Sequence, residues 1–160
     1  MIDLSDLDKM CADPVYIRDL DFCGSDYIIH AQEIKQCLSE GFSEITLSDM
    51  ELRHFLMEKN NDGHIIAVAD LWGKVIGTAT GIIERKLIHN GGLVMHIEDV
   101  CVLNKVRGQG IGKKLMEFLV DRAKELGCYK VILDCSRDNY EQFYSKLGFF
   151  EHEVNLRINL

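Results

Sequence analysis

Apolar residues recur every three or four positions from Ile111 through Leu115, Leu119 and Ala123 to Leu126, and Gly127 follows. That spacing lays one apolar stripe along a helix, and a glycine after it supplies the left-handed residue on which helices end. The same period puts Ile28, Ala31, Ile34 and Leu38 on one face, predicting a helix from Tyr27 to Leu38 with Gly41 as its stop. A second helix is expected from Ser48, because Glu51 three residues on completes a capping box. The turn residues 60–63 end it.

Shorter apolar runs bounded by turn residues read as strands: 15–20, 65–71, 75–84, 93–103 and 131–134. The short links 72–74 and 90–92 imply antiparallel neighbours. Residues 139–147 read as a further helix stopped by Gly148, and 149–158 as a closing strand. The order is β-α-α-β-β-β-α-β-α-β. Strand 93–103, helix 110–126 and strand 131–135 make a crossover unit, so one parallel pair sits in an otherwise antiparallel sheet. The expected class is α+β, a mixed sheet with helices on both faces. Met116, Leu119 and Ala123 belong to the core, and Trp72 is expected to pack at a hairpin.

The chain of 160 residues is one domain's length, and residues 1–14 form a loose lead-in around the single proline, Pro14. Hydrophobic residues at 47% and charged residues at 28% describe an ordinary globular chain. With 18 Lys+Arg against 26 Asp+Glu the net charge is -8, which argues against a nucleic-acid partner. No apolar run approaches the roughly 20 residues of a membrane helix. The N-terminus is acidic where a signal peptide is basic, so a cytoplasmic location is expected. Cysteines at 11, 23, 37, 101, 128 and 135 show no zinc-type spacing with one another or with histidine. They are expected to be buried reduced thiols, and no metal is expected.

One segment departs from the acidic background. Arg107-Gly108-Gln109-Gly110-Ile111-Gly112 joins a predicted strand to a predicted helix, flanked by Lys105, Lys113 and Lys114 with no acid from 104 to 116. Glycines let backbone N–H groups face a ligand without a Cβ in the way, and a helix start adds partial positive charge. The guest such a turn suits is a phosphate or pyrophosphate; the bland alternative is a flexible turn before a solvated helix start. It is not a Rossmann fingerprint, which needs glycine where Lys113 stands. Nor is it a P-loop, since Lys114 follows Lys113.

Arg107, Gly110 and Gly112 match the Arg/Gln-x-x-Gly-x-Gly/Ala signature, and the chain resembles the GCN5-related N-acetyltransferases (GNAT). Blocks 83–89, 96–100, 127–135 and 143–149 resemble, in order and spacing, the eukaryotic glucosamine-6-phosphate N-acetyltransferases. The likeness is close over 75–150 and only one of layout over the first 60 residues.

The resemblance implies acetyl-CoA as co-substrate, its pyrophosphate on residues 107–113 (Arg107, Gly108, Gln109, Gly110, Ile111, Gly112, Lys113). Its pantetheine arm would lie in a splay between strands 93–103 and 131–135, near Glu98, Asp99, Val100 and Val102. Asn139 would hydrogen-bond that arm or cap a helix, and both can hold. Tyr144 is the candidate proton donor to the leaving thiolate; otherwise it is a core aromatic beside Phe143.

Glu98 and Asp99 are consecutive and, in a regular strand, face opposite sides. Acids in an apolar strand are costly unless solvated or paired, which singles them out. Glu98 would accept the amine proton or hold the amine, and Asp134 would bind the amine or sugar hydroxyls; a structural salt bridge or turn contact is the other reading of each acid. Lys86 and His89 map onto the family's substrate positions, Arg157 stands near its C-terminal cation, and Ser39 aligns with a substrate-contacting threonine. His96 reads as a packed strand histidine rather than a base.

The resemblance further implies direct transfer in a ternary complex and a homodimer in which the C-terminal strand approaches the partner's site, with Phe149 and Phe150 at the interface. The product would feed UDP-N-acetylglucosamine synthesis. Two other readings stay open: a GNAT enzyme acting on a polyamine or a protein N-terminus, and a non-catalytic acetyl-CoA sensor.

Overall fold

The computed structural model describes residues 14–152 and 154–159. Five strands lie side by side in chain order: β1 (Tyr16–Asp19), β2 (Ile65–Leu71), β3 (Lys74–Arg85), β4 (Leu93–Val102) and β5 (Cys128–Leu133). The first four pair antiparallel, and β4 pairs parallel with β5. The β2–β3 link is tight because Trp72 and Gly73 both adopt positive φ, at 55° and 74°. That is the backbone of a two-residue hairpin turn. Trp72 itself stands 54% exposed rather than packed, since that conformation turns it outward.

Helices cover both faces. α3 (Ile111–Glu125) buries Ile111, Leu115, Met116, Leu119 and Ala123, the stripe legible in the sequence. Its close approach needs Gly81, where a Cβ would lie 3.1 Å from Met95 Sδ and 3.3 Å from Leu119 Cδ2. On the opposite face α1 (Asp26–Gly41) and α2 (Asp49–Asn61) pack Ala31, Ile34, Leu52 and Leu56 against Ile66, Val68 and Val75. The Ser48–Glu51 capping box is present. Arg18 pins α1 to the sheet by pairing with Asp26 at 2.6 Å and with Asp70 at 2.9 Å.

Three expectations change. The expected helix 139–147 is broken at Phe143. Ser136 caps α4 (Arg137–Gln142) by accepting from the Asn139 N–H, and Tyr144–Leu147 forms a separate 3-10 turn ended by Gly148 at φ 90°. Asn139 is thus inside the helix and is not its cap. The fifth strand starts at Cys128 and stops at Leu133, leaving Asp134 just beyond it.

The closing strand is absent from the described residues after Gly148. Val154, Leu156 and Ile158 alternate as a strand would, yet each is at least 84% exposed. A strand is stable only with a ladder partner, and this segment pairs with no strand among the described residues. Arg157 lies in this unpaired segment. No helix among the described residues is long and apolar enough to cross a membrane.

Candidate active site

The site begins with an irregularity in β4. Thr80 lies opposite Glu98 and Thr78 opposite Cys101, so Asp99 and Val100 together face Ala79 alone. Asp99 takes up the extra residue with φ at 55°, a left-handed conformation that aspartate tolerates better than most residues. The bulge overturns the expected alternation. Glu98 shares a face with its partner Thr80, and Asp99 turns toward the same side, against a cavity of about 60 Å³ lined by Thr78, Thr80 and Leu38. That apolar cavity is too small for a sugar phosphate and reads as a packing gap under the α1–α2 connection.

β5 ends level with the start of the bulge. β4 and β5 pair from Leu93↔Cys128 to Ile97↔Leu133 and no further. Beyond Ile97 the side of β4 that faced β5 has no strand partner, and Glu98 to Val102 border a cleft. Val100 and Val102 are half-buried along it.

The glycine-rich turn closes the far end of this cleft. Gly108 and Gly110 have φ of 78° and 79°, and a Cβ on either would meet nothing within 4 Å. The turn is therefore open, and its glycines serve backbone conformation rather than packing. Gly110 stands at the N-cap of α3, so the first α3 amides lack intrahelical partners and face the opening. Gln109 and Lys113 are exposed and Ile111 is buried beneath the turn. Arg107 is exposed, and its Nε donates to the Val102 carbonyl at 2.9 Å, tying the turn to the end of β4. Lys113 leans on Glu117 at 3.6 Å.

Three side chains converge on the other side of the cleft. His96 Nε2 lies 3.2 Å from Glu98 Oε1 and 3.8 Å from Asp134 Oδ2. His96 and Glu98 share a face of β4. Asp134 joins them because His96 pairs with Ile132, two residues before it. His96 was read from the sequence as packing, and the signal for grouping it with the acids, its i, i+2 spacing to Glu98, is visible only once the strand is known.

Tyr144 is half-buried, edge-on to Phe143 and Phe149. Burial, followed by the charges of Cys135 and Glu98, pushes its phenol above the ordinary range. The Cys135 thiol is also pushed up, by burial and then by Asp134 and Glu151. Asn139 is exposed on α4.

The expected substrate cations stand apart from this group. Lys86 N–H donates to Gly92, just before β4, and its side chain pairs with Glu84 at 2.6 Å. His89 packs on Tyr129 with ring centroids 4.5 Å apart, and Lys130 lies over the same Tyr129 ring. From Gly92 to Glu98 is six residues of strand, about 20 Å. Tyr129 and Lys130, which pattern reading passed over, thus join His89 in a second cluster at the opposite end of the β4–β5 pair. Ser39 accepts from the Ile45 N–H and holds the α1–α2 connection. Phe149 packs against its own core rather than outward, while Phe150 is 75% exposed. Arg157 is exposed. Of the five described cysteines, Cys37 and Cys101 are buried, but Cys23 and Cys135 are exposed, so burial does not account for all of them.

Residues 31–149 match the model of the acetyltransferase (GNAT) family. A glucosamine 6-phosphate N-acetyltransferase of Arabidopsis thaliana is 40% identical over 114 residues, 70% of this chain and 76% of that one. A Dictyostelium discoideum protein of the same name, numbered 1, is 34% identical over 150 residues and covers 92% of each chain. The crystal structure of the glucosamine-6-phosphate N-acetyltransferase from Arabidopsis thaliana superposes with a TM-score of 0.77 at 32% identity, over 92% of this chain and 99% of that one. With the bulged β4, its unpaired edge beyond Ile97 and the open glycine turn, these matches place the chain in the acetyltransferase (GNAT) family.

Proposed function

We propose that this chain is a single-domain enzyme that transfers the acetyl group of acetyl-CoA to the amine of D-glucosamine 6-phosphate, giving N-acetyl-D-glucosamine 6-phosphate and CoA. The observation that carries the reading is the cleft itself. An anion-binding turn and a carboxylate pair open onto the same gap between β4 and β5.

The free amides at residues 108–113 and the surrounding Lys105, Lys113 and Lys114 suit a pyrophosphate. The unpaired edge of Glu98 to Val102 suits an amide-bearing arm, with Asn139 beside it. Acetyl-CoA, when bound there, supplies the acetyl group as an activated thioester. Glu98 takes a proton from the substrate ammonium, directly or through a water, and Asp134 orients the amine or a neighbouring hydroxyl. An N–H of the β4 edge polarises the carbonyl under attack. Tyr144 gives its phenolic proton to the departing thiolate and regains one from solvent. Its raised pKa keeps the phenol protonated, the only form that can donate. Transfer is direct: the Cys101 thiol is buried within β4, and both it and the Cys135 thiol beside Asp134 are pushed toward the protonated, weakly nucleophilic form.

The phosphate of the sugar calls for a second protomer. The loop that carries Lys86 and His89 joins β4 about 20 Å of strand from Glu98, and the Lys86 ammonium is held on Glu84. β5 ends the sheet with an open edge, and Val154, Leu156 and Ile158 offer an apolar face to be covered. A homodimer covers both and brings cations such as Lys86, His89 and Arg157 across to the partner's cleft. Asp99 and Ser39 border the amine side. The free thiols of the five described cysteines suit a reducing compartment, and the cytoplasm is the proposed location.

The test is CoA release over an amine panel. Glucosamine 6-phosphate is expected to give the highest kcat/KM, above glucosamine, spermidine and a peptide N-terminus. Preference for a polyamine or peptide overturns the substrate, and acetyl-CoA binding with no release for any amine overturns the enzyme.

A further inference from the structure

His96, Glu98 and Asp134 bring one imidazole nitrogen and two carboxylate oxygens within 4.8 Å of one another. Two stand on β4, and the third directly follows the parallel strand paired to it. Oxygens of both carboxylates approach the same nitrogen. That nitrogen, His96 Nε2, has no accessible surface and makes no hydrogen bond, in spite of Glu98 Oε1 at 3.2 Å. A buried polar atom with acceptors on two sides and no hydrogen bond to either lacks a partner of the opposite kind.

We propose that His96, Glu98 and Asp134 form a reversible site for a borderline divalent cation of the Zn²⁺ or Co²⁺ class. One nitrogen and two oxygens with further positions open to water are a donor set such ions accept. Ligands about 2.1 Å from a common tetrahedral centre stand about 3.4 Å apart. The His96–Glu98 separation is already of that size, and Asp134, with its side chain 54% exposed, has room to close the remainder. No short motif announces this site, because Asp134 lies 36 residues beyond Glu98 and reaches it only through the β4–β5 pairing.

The cation occupies the carboxylates that the proposed reaction needs for its amine, so it inhibits rather than assists. That consequence rests on the proposed acetylation; the metal site does not.

Calorimetric titration of the chelator-treated, tag-free protein with ZnCl₂, and its visible spectrum with CoCl₂, test the site without any substrate. One equivalent per chain is expected to saturate both signals. His96→Gln, Glu98→Gln and Asp134→Asn should each weaken binding by at least about tenfold. His54→Gln, which removes the exposed histidine of the His54–Glu58 pair on α2, should leave it unchanged. Circular dichroism checks each fold; should His96→Gln unfold, Asp134→Asn, altered at an exposed position outside the strand, decides. Binding that never saturates, or that survives Asp134→Asn at full strength, overturns the site. In the CoA-release assay Zn²⁺ should raise KM for glucosamine 6-phosphate and spare kcat; a fall in kcat alone overturns the competition. Absence of any turnover rejects the acetylation reading and leaves the titration to judge the metal.

Discussion

A Cβ placed on Gly112 would lie 3.3 Å from the tip of the Phe143 ring. The first turn of α3 and the segment that carries Tyr144 are therefore in direct contact, and Phe143 also packs on Tyr144 with centroids 4.9 Å apart. Gly112→Val should overpack this contact and cost about 1–3 kcal/mol in denaturant unfolding. Combined with Phe143→Leu, the loss should be smaller than the sum of the two single losses, because the smaller residue yields the space. Additive losses would show that the contact is not tight.

Gly110 sits at φ 79° with open space around it. Gly110→Asp adds backbone strain of about 1 kcal/mol and a negative charge at the proposed pyrophosphate position. Calorimetry should show CoA binding at least about tenfold weaker while the fold survives. An unchanged affinity would remove the turn from the binding site.

Tyr144→Phe keeps the ring packing on Phe143 and Phe149 and deletes only the proton. The expected fall in kcat is about 100-fold, with little change in the CoA dissociation constant. Since burial and nearby negative charge raise the phenol, the wild-type kcat should hold well into alkaline pH. Equal losses in kcat and affinity would instead make Tyr144 a packing residue.

Lys86→Ala should raise KM for glucosamine 6-phosphate about tenfold and leave plain glucosamine unaffected, since only the former has a phosphate to lose a cation from. The same rise with both sugars would place Lys86 elsewhere.

Asp26 contributes to acid stability. Its burial acts to raise the carboxyl, but hydrogen bonds from Arg18 and the Asp21 N–H, with the Arg18 and His30 charges, outweigh burial and hold it below the usual range. A depressed folded pKa contributes stability that is fully present above the unfolded value, near 3.8, and disappears as pH falls through the folded one. Denaturant midpoints should drop below about pH 4 in the wild type. Asp26→Asn should be less stable at neutral pH, with a flatter acid limb.

Local rules made much of this protein legible from residues alone. The α3 stripe, the Ser48 capping box and the hairpin turns depend on neighbours within a few positions, where periodicity and turn chemistry act, and the parallel crossover follows from the order of elements they set. The glycine turn was legible for the same reason, as a string of conformationally permissive residues ringed by cations. What depended on distant residues was not. The bulge at Asp99 exists because β4 must match β3 across the sheet, and it reversed the expected separation of Glu98 from Asp99. The pairing of His96 with Ile132 brought Asp134 to Glu98, and the length of β4 kept Lys86 and His89 away. The tail with Val154, Leu156 and Ile158 has strand-like alternation and forms no strand, because alternation states a preference and only a partner edge supplies the hydrogen bonds that fulfil it.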